Sequence, residues 1–184
     1  ENLRHRGIEV DLVELSAQVL PPFDREMTHP LEQALKANQV TLHLGDSLTS
    51  IQPGLQVHLQ SGKSWQADLV LLGIGVRPEN TLAVQAGLEV GPRGGVVVNE
   101  QMLSSDPNIY AVGDLVQTID AISHKPTQIP LAGPANRQGR IAADCIAGKT
   151  ASYRGTQGTA VVGLFNQVAA ATGASEKALR AQNV

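Results

Sequence analysis

The sequence predicts an α/β fold, and two observations support this prediction. A strand-like apolar segment, 7–15, precedes an amphipathic segment, 24–37, and a second strand-like segment from Val40. This order of strand, helix and strand is typical of parallel pairing in α/β proteins. A predicted hairpin then leads into a continuous apolar segment, 69–72, with the character of a further strand. The 184 residues are enough for one medium domain or two small ones.

Composition argues against several classes of protein. With 42% hydrophobic and 17% charged residues, the chain is typical of a folded globular protein. A net charge of −3 leaves no basic stripe for nucleic-acid phosphates, so no nucleic-acid partner is expected. No apolar run approaches the roughly 20 residues that span a bilayer, so no membrane association is expected. The single cysteine, Cys145, fits a reducing compartment, which predicts a cytoplasmic protein.

The N-terminal elements follow from periodicity and turn formers. A helix end with Gly7 at its C′ position is predicted to precede a parallel strand within 7–15 that is buried on both faces. Asp24 can cap an amphipathic helix over 24–37. Pro30 either kinks that helix or marks its true start.

The next segments predict strands. Residues 40–44 alternate between apolar and polar side chains, as a half-buried strand does. A hairpin is predicted around 61–63, and it returns into a buried strand over 69–72.

The second half predicts short elements separated by glycine and proline. A helix over 81–86 is stopped by Gly87, and short strands follow, the last of which is 109–112. Pro134 is predicted to open a helix over 135–147, with three residues on its inner side and a glycine at C′: Ile141, Cys145, Ile146 and Gly148. Segment 152–173 has strand character, and Ser175 is a helix start.

Glu14 closes the first predicted strand. An acid at the end of a strand in a dinucleotide-binding unit accepts hydrogen bonds from a ribose 2′-hydroxyl, and its charge disfavours a 2′-phosphate. A solvated acid at a strand end is the alternative, because no glycine fingerprint accompanies Glu14 in the chain.

Three further motifs are candidates for ligand contact. Gly113 and Asp114 end an apolar strand, where the carboxylate can accept hydrogen bonds from hydroxyls or cap the next element. Leu131 and Ala132 precede the predicted helix whose free N–H groups favour electron-rich groups. Glycines at the end of the 69–72 strand permit close backbone approach by a ligand, and this motif comprises Gly73, Ile74 and Gly75.

The sequence contains no metal-binding pattern. Its 5 histidines lack metal-ligand spacing, and Cys145, on the inner face of a helix, is expected to be a small core residue rather than a catalytic thiol. No catalytic residue and no metal ligand are therefore predicted in this chain.

Five segments in this order resemble the flavin-dependent pyridine nucleotide–disulfide oxidoreductases over nearly the whole chain: GIEVDLVEL…LPPFD, ADLVLLGIGVRPEN, SDPNIYAVGD, PLAGPANRQGRIAAD and GTAVVGLFNQVAAATG. The resemblance is to the branch with coenzyme A-disulfide reductase, NADH oxidase and peroxidase, and coenzyme A-persulfide reductase. It implies that 1–75 form part of an NAD(P)-binding Rossmann-like domain without its first strand and glycine loop. It further implies that 76–150 form the returning part of an FAD domain, and that 151–184 begin a dimerisation domain that is cut short.

The resemblance also implies roles for the candidate residues. Asp114, with Gly113 beside it, matches the aspartate that binds the ribityl chain of FAD, and Leu131 and Ala132 match positions at the flavin pyrimidine edge. Glu14 matches the ribose-binding acid of NAD, which favours NADH over NADPH. The remaining positions match the loop near the nicotinamide, namely Gly73, Ile74 and Gly75.

The function implied is transfer of hydride from NADH through FAD to a disulfide-type, persulfide, peroxide or oxygen acceptor, in a homodimer. No cysteine matches the redox cysteine of this branch, and both phosphate loops are absent from the chain, so the chain alone is expected to be a fragment without activity. The alternatives are the flavin subunit of a nitrite or ferredoxin reductase, or a non-catalytic nucleotide-binding or dimerisation module.

Overall fold

The computed structural model describes Glu1–Ala181. These residues form two compact units, one made of Glu1–Gly73 with the described part of Ala160–Val184 and the other of Ile74–Thr159. Five α-helices, ten strands and one 3₁₀ turn are present in the described part of the chain. In chain order they are α1 Asn2–His5, β1 Val10–Glu14, α2 Arg25–Ala37, β2 Val40–Leu44, β3 Leu48–Gln52, β4 Gln56–Leu59, β5 Ser64–Gln66, α3 Thr81–Gln85, β6 Val96–Val97, the 3₁₀ turn Gly113–Leu115, β7 Val116–Ile119, β8 Pro126–Thr127, α4 Ala132–Ile146, β9 Ala160–Leu164, β10 Gln167–Ala171 and α5 Glu176–Arg180.

The first unit is built on a parallel strand pair. Strand β1 pairs with β2 in register from Val10 opposite Val40 to Glu14 opposite Leu44, and α2 connects them. The connection and the alternation of β2 were both predicted, and the α/β class is confirmed. Strand β1 is half-buried rather than buried on both faces, with Asp11 exposed, because it pairs with a single neighbour among the described residues.

Helix α2 buries one apolar face in this unit. Leu31 and Leu35 join the core with Val19, Val40 and Ala169 of β10. Their spacing of one helical turn places them on one side, which explains why this amphipathic pattern predicted the helix correctly.

Pro30 lies inside α2, which begins at Arg25. The missing N–H of Pro30 removes one backbone hydrogen bond near the solvent-exposed side of the helix, and the buried face on the other side is continuous.

Three further features complete the first unit. An antiparallel sheet of order β3-β4-β5 contains the predicted hairpin, and β9 and β10 form a second antiparallel hairpin. The predicted strand over 69–72 is wrong, since this segment forms no ladder within residues 1–181. Its leucines are exposed. An apolar run becomes a strand only beside a partner strand, which supplies hydrogen bonds to its backbone N–H and C=O groups.

The second unit contains a small mixed sheet of order β6-β7-β8, with β6 and β7 parallel. The expected strand over 109–112 is wrong in its extent: one bridge, Leu103 to Tyr110, is formed there. Ala111 is nevertheless buried against Val96 and Val116, so the apolar character of the segment serves packing rather than a ladder.

Helix α4 begins at Ala132, three residues before the predicted start, and Pro134 lies in its first turn. Proline is tolerated there because first-turn N–H groups have no partner within the helix. Ile141 is buried and Cys145 is half-buried as expected, but Ile146 is 67% exposed, which corrects its predicted inner position. Ile146 is the last helical residue and points away from the core cluster around Tyr153.

Asp24 occupies the N-cap position of α2, but its carboxylate makes no side-chain cap there. Instead it accepts the backbone N–H groups of Glu176 at 3.0 Å and Lys177 at 2.9 Å, in the first turn of α5. The Lys177 N–H holds the pKa of the Asp24 carboxyl below its usual value. Ser175 caps the same helix through the Ala178 N–H, as the sequence predicted.

We expect the carboxylate of Asp24 to stabilise the docking of α5 fully above about pH 3.9, the ordinary Asp value. This contribution is lost as the pH falls through the lower pKa of the folded state. An acid titration followed by the amide resonances of Glu176 and Lys177 should show a midpoint below that of an unperturbed aspartate. The Asp24→Asn variant should lack this transition and the exposed Asp68→Asn control should retain it, whereas a midpoint at the ordinary value would contradict the assignment.

Met102 is 1% exposed and packs with Ile141, Ala142 and Tyr153. Truncation of Met102→Ala leaves a cavity in this cluster, so the free energy of unfolding should fall by about 2–5 kcal/mol. Met27, on α2, is 59% exposed, and Met27→Ala should change the same quantity by less than about 0.5 kcal/mol. Urea unfolding followed by circular dichroism measures both, and equal effects would show that Met102 is not a packing residue.

Candidate functional site

The turn at Gly113 is the centre of the candidate site in the second unit. Gly113 has φ of +83°, a conformation that side chains with a Cβ rarely adopt, and it opens the 3₁₀ turn Gly113–Leu115. Its N–H donates to Oε1 of Gln138 at 2.8 Å. A Cβ at Gly113 would be 4.0 Å from Cβ of Ala135, so the backbone conformation rather than a lack of space requires glycine.

Gln138 holds this turn against α4. It is 3% exposed and lies on the same helix face as Ile141 and Ala142. Sequence reasoning did not identify it. The available signal was a polar side chain at position i−3 from Ile141, on a stripe otherwise apolar, which indicates a buried group with a specific hydrogen-bond partner.

The start of α4 lies beside the turn. Leu131 is the N-cap residue in an extended conformation, and Ala132 is the first helical residue. A leucine side chain has no acceptor, so no side-chain cap is made to the first-turn N–H groups. The structure therefore places the turn that carries Gly113 and Asp114 against α4, whose first turn begins at Leu131 and Ala132.

Asp114 lines a cavity of about 450 Å³. Its side chain accepts no hydrogen bond from any residue in 1–181, in contrast to Asp24. The cavity wall combines charged, amide and proline side chains, and it includes Arg77, Pro92, Arg93, Asp114, Gln128 and Pro130. The two arginines form no ion pair with a described residue, so the cavity offers one free carboxylate and two free guanidinium groups.

Gln128 lines the same cavity. Its Nε2 atom is inaccessible to solvent and has no hydrogen-bond partner in the described structure. Sequence analysis identified neither Gln128 nor the two arginines, since they come from loops that only the fold brings to Asp114.

Glu14 belongs to the first unit. It ends β1 at the carboxyl edge of the parallel pair, where open α/β sheets bind ligands. Its Oε1 accepts the Ser16 N–H at 2.7 Å, while Oε2 accepts no hydrogen bond from the described residues. One oxygen orients the carboxylate and the other is available to a ligand.

Gly73, Ile74 and Gly75 are placed differently from the prediction. They follow a segment that forms no strand, all three are exposed, and Ile74 is 86% exposed. Gly75 has φ of +91°, a backbone conformation that favours glycine.

No helix within 1–181 is long and apolar enough to cross a bilayer. Over the same residues, no three His, Cys, Asp or Glu side chains are grouped closely enough to hold a metal ion. The groups around Asp114 that have no protein partner are its carboxylate and the guanidinium groups of Arg77 and Arg93.

Comparison with known proteins identifies relatives that act on sulfur compounds and on NADH. NAD(P)H sulfur oxidoreductase (CoA-dependent) of Pyrococcus furiosus is 34% identical over 174 residues, which cover 93% of this chain and 39% of the relative. NADH oxidase of Methanocaldococcus jannaschii is 38% identical over 154 residues, covering 82% of this chain and 34% of the relative. The solved structure of reduced CoADR-RHD from Bacillus anthracis has 47% identity and a TM-score of 0.96, covering 100% of this chain and 33% of that chain.

The chain thus spans between 33% and 39% of the length of these relatives. Their names fall in the branch to which the five sequence segments pointed, so that resemblance is confirmed. The family model described as pyridine nucleotide-disulphide oxidoreductase matches residues 1–139, which are most of the chain. The chain therefore belongs to the pyridine nucleotide-disulphide oxidoreductase family.

Proposed function

We propose that the protein containing this chain transfers hydride from NADH through FAD to a disulfide-type, persulfide, peroxide or oxygen acceptor. The observation that carries this proposal is the free carboxylate of Asp114 on the wall of a 450 Å³ cavity, beside the uncapped start of α4. The names of the relatives support the same class, since they include a CoA-dependent sulfur oxidoreductase and an NADH oxidase.

We further propose an assignment of domains along the chain. Residues 1–75 belong to an NAD(P)-binding domain, 76–150 to the returning part of an FAD domain, and 151–184 to the start of a dimerisation domain. The protein is proposed to be a cytoplasmic homodimer, and its electron acceptor is a small molecule.

The residues present fit a flavin nucleotide. Asp114, an acceptor without a protein donor, suits the hydroxyl groups of a ribityl chain. The first-turn N–H groups of α4, next to Leu131 and Ala132, suit the electron-rich edge of an isoalloxazine ring and stabilise negative charge there. FAD, when bound, supplies the chemistry of accepting and donating hydride.

Glu14 fits the adenosine ribose of NADH. Its Ser16 hydrogen bond fixes the carboxylate at the carboxyl edge of β1, and the second oxygen can accept from a 2′-hydroxyl. A phosphate at the same position would face a carboxylate at close range, and repulsion between like charges favours NADH over NADPH. Gly73, Ile74 and Gly75 are proposed to approach the nicotinamide end.

Replacement of Asp114→Asn tests the FAD assignment. It keeps the shape of the side chain but removes the charge and one acceptor, so FAD affinity should fall by about tenfold or more. The measurement is the dissociation constant of FAD from the flavin-free form of the full protein, by quenching of flavin fluorescence. Asp144→Asn, in an exposed ion pair on the same helix α4, is the matched control and should bind like the wild type.

Two results would contradict the assignment. Wild-type affinity in Asp114→Asn would show that the carboxylate does not contact FAD. A full-length wild type that binds no flavin would overturn the proposed function altogether.

Replacement of Glu14→Gln tests the nicotinamide nucleotide preference. Loss of the charge weakens the hydrogen bond from a ribose hydroxyl and removes the repulsion of a 2′-phosphate, so the ratio of NADPH to NADH affinity should rise about tenfold. Both dissociation constants can be measured by titration calorimetry. Glu9→Gln, an exposed acid just before β1, is the control, and an unchanged ratio in Glu14→Gln would remove Glu14 from the site.

A further inference from the structure

Glu32 is a buried acid on helix α2. The residue is 3% exposed and stands beside Leu31, a member of the apolar core. A charged side chain is almost never buried unless it is paired, because its removal from water is costly. Within 1–181 the carboxylate has one partner, the guanidinium group of Arg25 in the first turn of the same helix, with Nη1 2.9 Å from Oε1. Apolar side chains of similar volume often stabilise a fold as well as a buried ion pair does, so packing of α2 does not by itself account for this pair.

Arg25 connects the buried acid to the loop that follows β1. The same Nη1 group donates a hydrogen bond to the backbone oxygen of Ala17 at 2.7 Å. The side chain of Arg25 is 55% exposed and that of Glu32 is 4% exposed, so the guanidinium group lies between the protein interior and the loop. Charge-assisted hydrogen bonds to the carboxylate restrict where the guanidinium group can lie. Arg25 thereby fixes the carbonyl group of Ala17 relative to α2.

The loop held in this way is the one that orients Glu14. Ser16 donates its N–H to Oε1 of Glu14 at 2.7 Å, and its carbonyl oxygen accepts the N–H of Gly45 at 2.9 Å. Gly45 directly follows β2, so Ser16 is attached to the end of the parallel strand pair on one side and, through Ala17, to α2 on the other. The direction of the Ser16 N–H, and with it the orientation of the Glu14 carboxylate, depends on both attachments.

We infer that Arg25, paired with the buried carboxylate of Glu32, is a positioning residue for the nicotinamide nucleotide. It holds the segment 16–17, so that the Ser16 N–H keeps the carboxylate of Glu14 in the orientation that binds the ribose hydroxyl. This inference rests on the proposed function, because Arg25 acts through the contact between Glu14 and NADH. The two protons of Nη1 are used by Ala17 and Glu32 and are not needed for contact with the nucleotide.

Replacement of the ion pair by apolar side chains separates positioning from stability. In the full protein, Arg25→Met combined with Glu32→Met removes the hydrogen bond to Ala17 and leaves no buried charge without a partner. The thermal midpoint of the nucleotide-free protein should therefore not fall, whereas the dissociation constant of NADH, measured by titration calorimetry, should rise about fivefold. A lower midpoint with unchanged affinity would assign the pair to stability alone. The matched control is Asp144→Met combined with Lys149→Met, an exposed ion pair near the end of α4, which should change neither quantity.

A double-mutant cycle with Glu14→Gln tests whether Arg25 acts through Glu14. If it does, the two changes are coupled, and the methionine pair should cause little further loss of NADH affinity once Glu14→Gln is present. Equal losses in both backgrounds would show that the pair acts elsewhere and would overturn the inference. Arg25→Lys keeps a charge beside Glu32, but its shorter side chain serves one partner only. It should also weaken NADH binding, and it takes the place of the methionine pair if that variant does not fold.

The binding data also separate this inference from the proposed function. If Glu14→Gln weakens NADH binding while the methionine pair and Arg25→Lys bind like the wild type, the inference is overturned and the proposed function stands. If either Arg25 variant weakens the binding of NADPH alone, Arg25 contacts the 2′-phosphate directly and the positioning role is wrong. If the wild type binds no NADH, the proposed function fails and the inference fails with it.

Discussion

The hydrogen bond from the Gly113 N–H to Oε1 of Gln138 is the contact on which the candidate site depends. It joins the end of an apolar segment to the buried face of α4, and it satisfies a glutamine oxygen that would otherwise be buried without a partner. With the left-handed conformation of Gly113, it directs the chain away from the core at Asp114. The side chain of Asp114 is therefore presented to the cavity by a backbone that is fixed on one side by a helix.

Helix α4 is in turn fixed by its own packing. Ile141 and Ala142 pack with Met102 and Tyr153, one turn beyond Gln138, so the position of the glutamine is set by apolar burial. The same helix presents its uncapped first turn at Leu131 and Ala132. One helix thus performs two tasks: its inner face orients the turn that carries Asp114, and its N-terminus supplies free N–H donors beside that turn.

Local patterns were sufficient to predict the parts of the fold that local physics determines. The amphipathic face of α2, the hairpin between β4 and β5, and the helix start at Ser175 all follow from spacing and turn chemistry within a few residues. The predicted strands over 69–72 and 109–112 were wrong because a ladder needs a neighbouring strand, which an apolar run does not specify. The residues that line the candidate cavity were likewise predicted only in part.

Asp114 and Leu131 lie within recognisable segments of the sequence, whereas Gln128 and the arginines reach the cavity from loops. No periodicity marks such residues, because their position is set by the chain path between elements. Gln138 could be predicted only in part. The sequence shows its place on an apolar stripe of the helix, but it does not show its partner, the N–H of a glycine 25 positions away.

Asp24 and Asp114 illustrate why the structure is needed to separate an acid that serves the fold from one that is proposed to bind a ligand. Each follows an apolar segment, and by sequence each could cap the element that comes next. In the fold, the carboxylate of Asp24 accepts hydrogen bonds from two N–H groups in the first turn of α5, so its acceptors are satisfied within the protein. Asp114 accepts none from the described residues, and two unpaired guanidinium groups line the same cavity. The acceptors of Asp24 are used within the protein, whereas those of Asp114 are free, which is why Asp114 and not Asp24 is proposed as a residue that binds a ligand.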